Sequence, residues 1–196
     1  MAILNNIRLL TSSLLTKLYT FYLKNHYNNI GNGSYVYYKS RVTNHIKGGV
    51  QIGERSTIGR TSNGYHAGMP FFTTLLNDGE NSHITIGNYC RINGAYIHAK
   101  DFIEIGDYCV MASGINIIDS NAHIVNSINR TIGQDVPKGI RIGNNVWIGL
   151  NAIILKGTVI GDNCVVAAGS IVKGEFPDNT IIQGNPAKCV GEIHFK

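Results

Sequence analysis

Between Ile142 and Val172 an aliphatic residue returns at every sixth position: Ile142, Ile148, Ile154, Ile160, Val166 and Val172. The fifth place of each hexad stays compact, with Val146, Ala152, Thr158, Cys164 and Ser170. A period of six is neither that of a helix nor the alternation of a simple strand. It predicts a parallel β-helix, in which each hexad makes one short strand and a corner and each coil rests on its neighbours. Side chains alternate faces along a strand, so Val146 and Ile148 share the interior. The outward places are then Trp147, Ile153, Val159, Val165 and Ile171. A lone soluble chain does not usually line its surface with such residues, which predicts an oligomer. Gly143, Gly149 and Gly161 follow the aliphatic and are expected at corners that use their backbone freedom. Gly157 and Gly169, with the turn formers Asn144, Asn145, Asp162 and Asn163, supply further bends.

Fainter hexads start at Ile30, Val36, Val42, Ile52 and Ile58, and the pattern resumes at Ile86, Ile92, Ile105, Met111 and Ile117. Ile105 follows Ile86 by 19 residues, which predicts one inserted residue near His98. The repeat is lost twice. Residues 63–83 read as one loop excursion, whose Tyr65, Phe71 and Phe72 suit stacking on a sugar ring or packing on a neighbouring subunit. Residues 124–139 read as a second. Ahead of the repeat, residues 3–24 read as an amphipathic helix with Ile3, Ile7, Leu10, Leu14, Leu18 and Phe21 on one stripe. The preferred expectation is that this stripe caps the open end of the solenoid. The division is therefore an N-terminal helix in 1–29, a β-helix domain in 30–183 and a tail in 184–196.

Hydrophobic residues make up 43% and charged ones 15%, a globular rather than disordered balance. No apolar run approaches the roughly 20 residues of a membrane span, and no signal peptide is evident, so a cytoplasmic location is expected. Cys90, Cys109 and Cys164 occupy compact fifth places and read as buried small hydrophobes; Cys189 falls in the tail. The net charge of +5 is uneven: Arg8, Lys17, Lys24, Lys39, Arg41 and Lys47 all precede the first acidic residue, Glu54. That excess suits either a solvated face or weak contact with an anionic membrane surface at the inner face.

Among seven histidines, His123 stands apart. It takes the place where the hexad following Ile117 requires an aliphatic, and it opens the second excursion. An imidazole with an ordinary pKa of about 6.5 suits proton transfer in group transfer to a hydroxyl.

The segments Asn145-Val-Trp-Ile-Gly, Ile160-Gly-Asp-Asn, Ala168-Gly-Ser-Ile-Val and Gly184-Asn-Pro-Ala-Lys resemble the hexapeptide-repeat acyltransferases. Within them they are similar to galactoside, maltose and capsular-polysaccharide O-acetyltransferases. The resemblance is dense from Ile84 to Val190. It implies an all-β, left-handed parallel β-helix with three hexads per coil, a homotrimer, and acetyl-coenzyme A as co-substrate for a saccharide hydroxyl. The left hand comes from the resemblance alone, since parallel crossovers are generally right-handed. The run Asp119-Ser-Asn-Ala-His resembles the family's Asp-Ser-Asp-x-His segment, which makes His123 the catalytic base and sets Asp119 and Asn121 at the acceptor. Two departures are Asn121 in place of the second aspartate and Ile124 in place of proline. Asn93, 30 residues before His123, matches an acceptor-contacting asparagine. Repeat phase forbids the two from meeting in one chain, so an intersubunit site is implied. Coenzyme contacts fall on Gly149, Leu150, Ala168, Lys173 and Lys188, with Trp147 on the same flank. At Lys173 the basic residue sits one place from its commoner position.

Neither a metal nor a nucleic-acid partner is expected. A streptogramin-type xenobiotic acetyltransferase of the same fold is the closest alternative. A γ-type carbonic anhydrase ranks lower, because its zinc histidines lie five residues apart and positions 118 and 128 are Ile118 and Ile128. A structural solenoid without catalysis does not account for His123.

Overall fold

The computed structural model describes residues 2–26, 29–44, 49–60, 65 and 67–195, with side chains from residue 9 onward. The side chains of Ile3, Ile7 and Arg8 lie outside what is described, as do His45, Lys47, His66 and most of the first positions of the 63–83 excursion.

Among the described residues a single helix, α1 (Ala2–His26), precedes a solenoid of short strands arranged on three flanks. The first flank stacks β1 (Asn29–Ile30), β4 (Val50–Ile52), β7 (His83–Ile86), β10 (Phe102–Ile105), β13 (Ile140–Ile142), β16 (Val159–Ile160) and β19 (Glu175–Phe176). The second stacks β2 (Tyr35–Val36), β5 (Thr57–Ile58), β8 (Arg91–Ile92), β11 (Val110–Met111), β14 (Trp147–Ile148), β17 (Val165–Val166) and β20 (Thr180–Gly184). It closes on β21 (Ala187–Glu192), the one antiparallel partner, paired with β20. The third stacks β3 (Arg41–Asn44), β6 (Thr74–Asn77), β9 (Tyr96–Ala99), β12 (Asn116–Ile118), β15 (Ile153–Leu155) and β18 (Ile171–Val172). Every other pairing is parallel, as coils of one hand require.

The hexad aliphatics form three interior columns. Ile148, Ile92 and Met111 stack on the second flank with no exposure, and Ile117 and Ile154 on the third. Cys90, Cys109 and Cys164 are buried among them, and Cys189 is exposed. The corner between the first and second flanks shows why Asn and Asp occupy the third hexad place. The Asn144 amide donates to Asp162 Oδ1 at 2.7 Å, and the Asp107 amide donates to Asn144 Oδ1 at 2.9 Å. Each coil thus caps the next and satisfies backbone that the turn would leave unpaired.

The glycine expectation needs correction here. Gly143 is required by close approach, not by a left-handed backbone: a Cβ on it would lie 2.4 Å from Asp162 Oδ1. The left-handed residue is the fourth of each hexad, at Asn145, Asn151, Gly157, Asn163 and Gly169, with φ between 54° and 75°. Asn and Gly adopt that conformation at the least cost.

Two further differences concern the excursions. Thr74–Asn77 lies inside the stretch read as a loop, yet it is strand β6, paired in register with β3 and β9. Leu75 fills the third column there with no exposure. The extra length near His98 belongs to the turn at Lys100 and Asp101, since Ile97 and Ile105 are both interior. Between Ile118 and Ile140 no helix or strand interrupts the second excursion.

The helix docks, but not by its apolar stripe. Tyr19, Thr20 and Leu23 face the solenoid; Thr20 Oγ1 accepts from the Val36 amide at 2.9 Å, and its one hydrogen has the Thr16 carbonyl at 2.8 Å and the Val36 carbonyl at 3.2 Å within reach. Leu10, Leu14, Leu18 and Phe21 are instead 71%, 59%, 56% and 68% exposed. Each forgoes the roughly 1.5–3 kcal/mol that full burial of such a side chain contributes.

Candidate active site

The outward face of the second flank carries a groove of about 740 Å³. Its axis follows one row of outward residues in register, Thr57, Arg91, Val110, Trp147 and Val165. Five strands at about 4.8 Å spacing give this row a length of about 19 Å. Its two ends differ. Toward the C-terminal coils, Gly149, Leu150, Ala167 and Ala168 make a small-residue floor beside the 56% exposed indole of Trp147. Toward the N-terminal coils, Thr57, Arg60, Tyr65, Arg91 and Asn93 make a polar end with two guanidinium groups.

Six residues singled out in the sequence therefore meet in one groove: Tyr65, Asn93, Trp147, Gly149, Leu150 and Ala168. Lys173 and Lys188 are exposed and do not line it in this chain. Lys188 lies on β21, opposite Gln183. Phe71 and Phe72 also lie off the groove. The Phe72 ring sits 6.2 Å from that of Tyr37, with Lys39 Nζ 5.4 Å above it. The loop carrying them is tied to the solenoid by Ser113 Oγ, which donates to the Gly68 carbonyl at 2.6 Å. The Gly94 amide donates to Thr73 Oγ1 at 2.9 Å and fixes the other end.

His123 stands at the corner between the third and first flanks, away from this groove, so one chain does not bring it to Asn93. Its surroundings are nonetheless ordered. The His123 amide donates to the Asn121 carbonyl at 2.7 Å across a turn in which Ala122 has φ +63°. Nδ1 lies 2.7 Å from the Arg130 carbonyl oxygen. A carbonyl only accepts, so Nδ1 carries the proton and Nε2 offers its lone pair. The imidazole is exposed.

Asp119 does not face an acceptor, contrary to expectation. It has no exposure, and its carboxylate accepts from the Lys100 amide at 2.9 Å and the Asp101 amide at 2.8 Å. Burial pushes its carboxyl above the usual range, while the Asp101 and Lys100 amides pull it back. Asp101 Oδ2 in turn accepts from the Gly139 amide at 2.9 Å, and the Lys138 amide donates to the Asp119 carbonyl at 2.9 Å. Both ends of the excursion are thereby clamped to one corner. Asn121 is exposed, and its amide donates to Asp135 Oδ2 at 2.8 Å. Asp135 pairs with Lys156 Nζ at 2.6 Å, and the ammonium holds its carboxyl below the usual range.

Arg130, Asp135 and Lys156 escaped the sequence reading. Arg130 contributes a backbone carbonyl, which no residue type announces, and Asp135 and Lys156 are 21 residues apart with no shared pattern. Arg91 was legible in principle, since it precedes the interior Ile92 as Trp147 precedes Ile148. Among the described residues no group of three His, Cys, Asp or Glu side chains is placed to hold a metal.

Residues 139–173 match the family model described as the hexapeptide repeat of succinyl-transferase. Over 117 residues the chain is 36% identical to the galactoside O-acetyltransferase of Escherichia coli K12, covering 59% of this chain and 56% of that protein. The chain thus spans little more than half the length of that relative. Over 142 residues it is 30% identical to a Saccharomyces cerevisiae protein named as a candidate acetyltransferase, covering 72% of this chain and 70% of that one. An N-acyltransferase from Bacillus cereus, solved with dTDP and coenzyme A, superposes with a TM-score of 0.71 at 20% identity, covering 89% of each chain. That likeness is one of fold, and it gives the solenoid as the left-handed parallel β-helix. With the regular hexads of residues 142–172, the three-flanked coil and these relatives, the chain belongs to the hexapeptide-repeat acyltransferase family.

Proposed function

We propose that this chain transfers an acetyl group from acetyl-coenzyme A to a hydroxyl of a saccharide, with His123 as the general base. The observation that carries the reading is the 2.7 Å contact of His123 Nδ1 with the Arg130 carbonyl, which leaves Nε2 open for a proton. In transfer, Nε2 takes the acceptor hydroxyl proton as that oxygen bonds the acetyl carbon and the carbon–sulfur bond breaks. The same nitrogen then returns the proton to the departing thiolate.

The groove fits the donor. Acetyl-coenzyme A supplies the activated thioester. Gly149, Ala167 and Ala168 leave room for a thin pantetheine chain, and Trp147 offers an apolar wall. Lys173 and Lys188 belong to this reading as contacts for the donor's phosphates, reached beyond the end of the groove. Arg60 and Arg91 add positive charge at the opposite end, which favours an acidic or phosphorylated saccharide. Relatives named as galactoside and lipopolysaccharide O-acetyltransferases support the saccharide class.

A homotrimer completes the site in this reading. Asn93 and His123 lie on different flanks of one chain, so a groove of one subunit meets the His123 corner of the next. The exposed Trp147 supports such a contact. Because acetyl-coenzyme A is made in the cytoplasm, the reaction is placed there. The test is thiol release from acetyl-coenzyme A with neutral and acidic oligosaccharides, with a streptogramin as the competing acceptor. Acetylated saccharide that disappears with His123→Ala supports the reading. Efficient acetylation of the streptogramin alone would replace it with the xenobiotic one.

A further inference from the structure

The docking of α1 leaves its apolar face unused. At 3.6 residues per turn each residue advances about 100° around the axis. Thr16, Tyr19, Thr20 and Leu23 group on the side toward β1 and β2, where Thr20 bonds Val36 and Leu23 is 2% exposed. Leu10, Leu14, Leu18 and Phe21 group on the opposite side and are all more than half exposed. Lys17 and Lys24 fall on one border of this stripe and the amphipathic Tyr22 on the other. An outward apolar stripe with a basic rim is the arrangement of a helix that lies in a membrane interface. Among the described residues no helix is long and apolar enough to cross a membrane, so the geometry is one of lying on it.

We propose that the outer face of α1 seats on an anionic lipid bilayer surface. Charge selects this occupant. No acidic residue precedes Glu54, so the helix and the coil beneath it carry positive charge alone. A second copy laid face to face on this stripe would bring Lys17 and Lys24 against like charges, whereas anionic headgroups attract them. Insertion of the stripe between headgroups removes four large apolar side chains from water without disturbing the Thr20–Val36 contact. This inference rests on the helix and is independent of the transfer chemistry.

The experiment is sedimentation of the full chain with vesicles of phosphatidylcholine, with and without phosphatidylglycerol, at low and high salt. Binding is expected only with phosphatidylglycerol, and it weakens as salt rises. Replacing both lysines, Lys17→Gln with Lys24→Gln, lowers partition about thirtyfold, the equivalent of roughly 1 kcal/mol per charge. Leu18→Asp with Phe21→Asp removes binding while far-ultraviolet circular dichroism and assembly size stay unchanged. If that pair fails to fold, the lysine pair decides, since both lysines are exposed and Lys24 Nζ has only a 3.3 Å bond to Asn32 Oδ1 at the solenoid. Three results overturn the proposal: no binding by the unaltered chain, equal binding by either variant, or an assembly that falls apart in Leu18→Asp with Phe21→Asp without prior vesicle binding. The last would assign the stripe to another copy of the chain.

Discussion

His123 Nδ1 donates to the carbonyl oxygen of Arg130 at 2.7 Å, and this one bond fixes both the tautomer and the direction of the ring. A positioned base is worth about 10²–10⁴-fold. His123→Ala is therefore expected to lower kcat by that factor and to leave the melting temperature unchanged, because the side chain is exposed. Steady-state thiol release and calorimetry check both halves.

Separation of Asn93 from His123 within one chain gives a complementation test. Asn93→Ala and His123→Ala chains are each expected to be nearly inactive. Unfolded together and refolded as a mixture, they regain part of the activity, because hybrid assemblies rebuild some sites from two intact halves. Activity that stays at the level of the separate variants would show that one chain holds the whole site.

Asp119 is the point where the second excursion is tied to the coil. Asp119→Ala leaves the partly buried Lys100 and Asp101 amides without their acceptor, at up to about 1–3 kcal/mol for each unsatisfied group. A loss of about 2–4 kcal/mol in urea unfolding is expected. Asp119 acts on His123 only through the loop, so activity at a temperature where the variant is folded falls through kcat more than through KM.

The Asp135–Lys156 pair gives the excursion a pH dependence. The folded carboxyl sits below its unfolded value of about 3.9, so its contribution is present above that value. It is lost as pH falls through the folded value. Below about pH 4 the melting temperature is expected to fall more steeply for the unaltered chain than for Asp135→Asn, and the gap between the two narrows as the pH drops further.

Ala168 and Gly149 separate binding from folding. Ala168 is exposed on the groove floor, so Ala168→Phe is expected to raise KM for acetyl-coenzyme A severalfold or more while stability holds. Gly149→Ala acts differently, because its Cβ would lie 2.7 Å from the Ala168 nitrogen of the next coil. It is expected to lower the melting temperature first. Isothermal titration with coenzyme A and calorimetry distinguish the two effects.

Much of this was written in the repeat. A six-residue period with alternating faces leaves little freedom in which side chains point inward, and Ile148, Ile154 and Ile160 are interior for that reason. A histidine in an aliphatic's place marked the exit of the second excursion, and the coil phase kept Asn93 and His123 apart. Strand β6 was hidden because a loop outside the hexad count precedes Leu75, and a period cannot be read across an insertion. The buried role of Asp119 was hidden because its partners, the Lys100 and Asp101 amides, are backbone groups one coil away.

Tertiary structure alone decided which face of α1 meets the solenoid. The apolar stripe argued for Leu14 and Leu18, since burial of hydrocarbon is the usual reason a helix docks. The end of a β-helix, however, exposes the amide and carbonyl groups of its first strands, and such an edge calls for hydrogen-bonding partners. Thr20 accepts from the Val36 amide of that edge, and Tyr19 and Leu23 pack around it. The sequence determined that α1 is amphipathic. The unpaired edge it covers drew Thr20 inward, with Tyr19 and Leu23 beside it, and left Leu10, Leu14 and Leu18 outside.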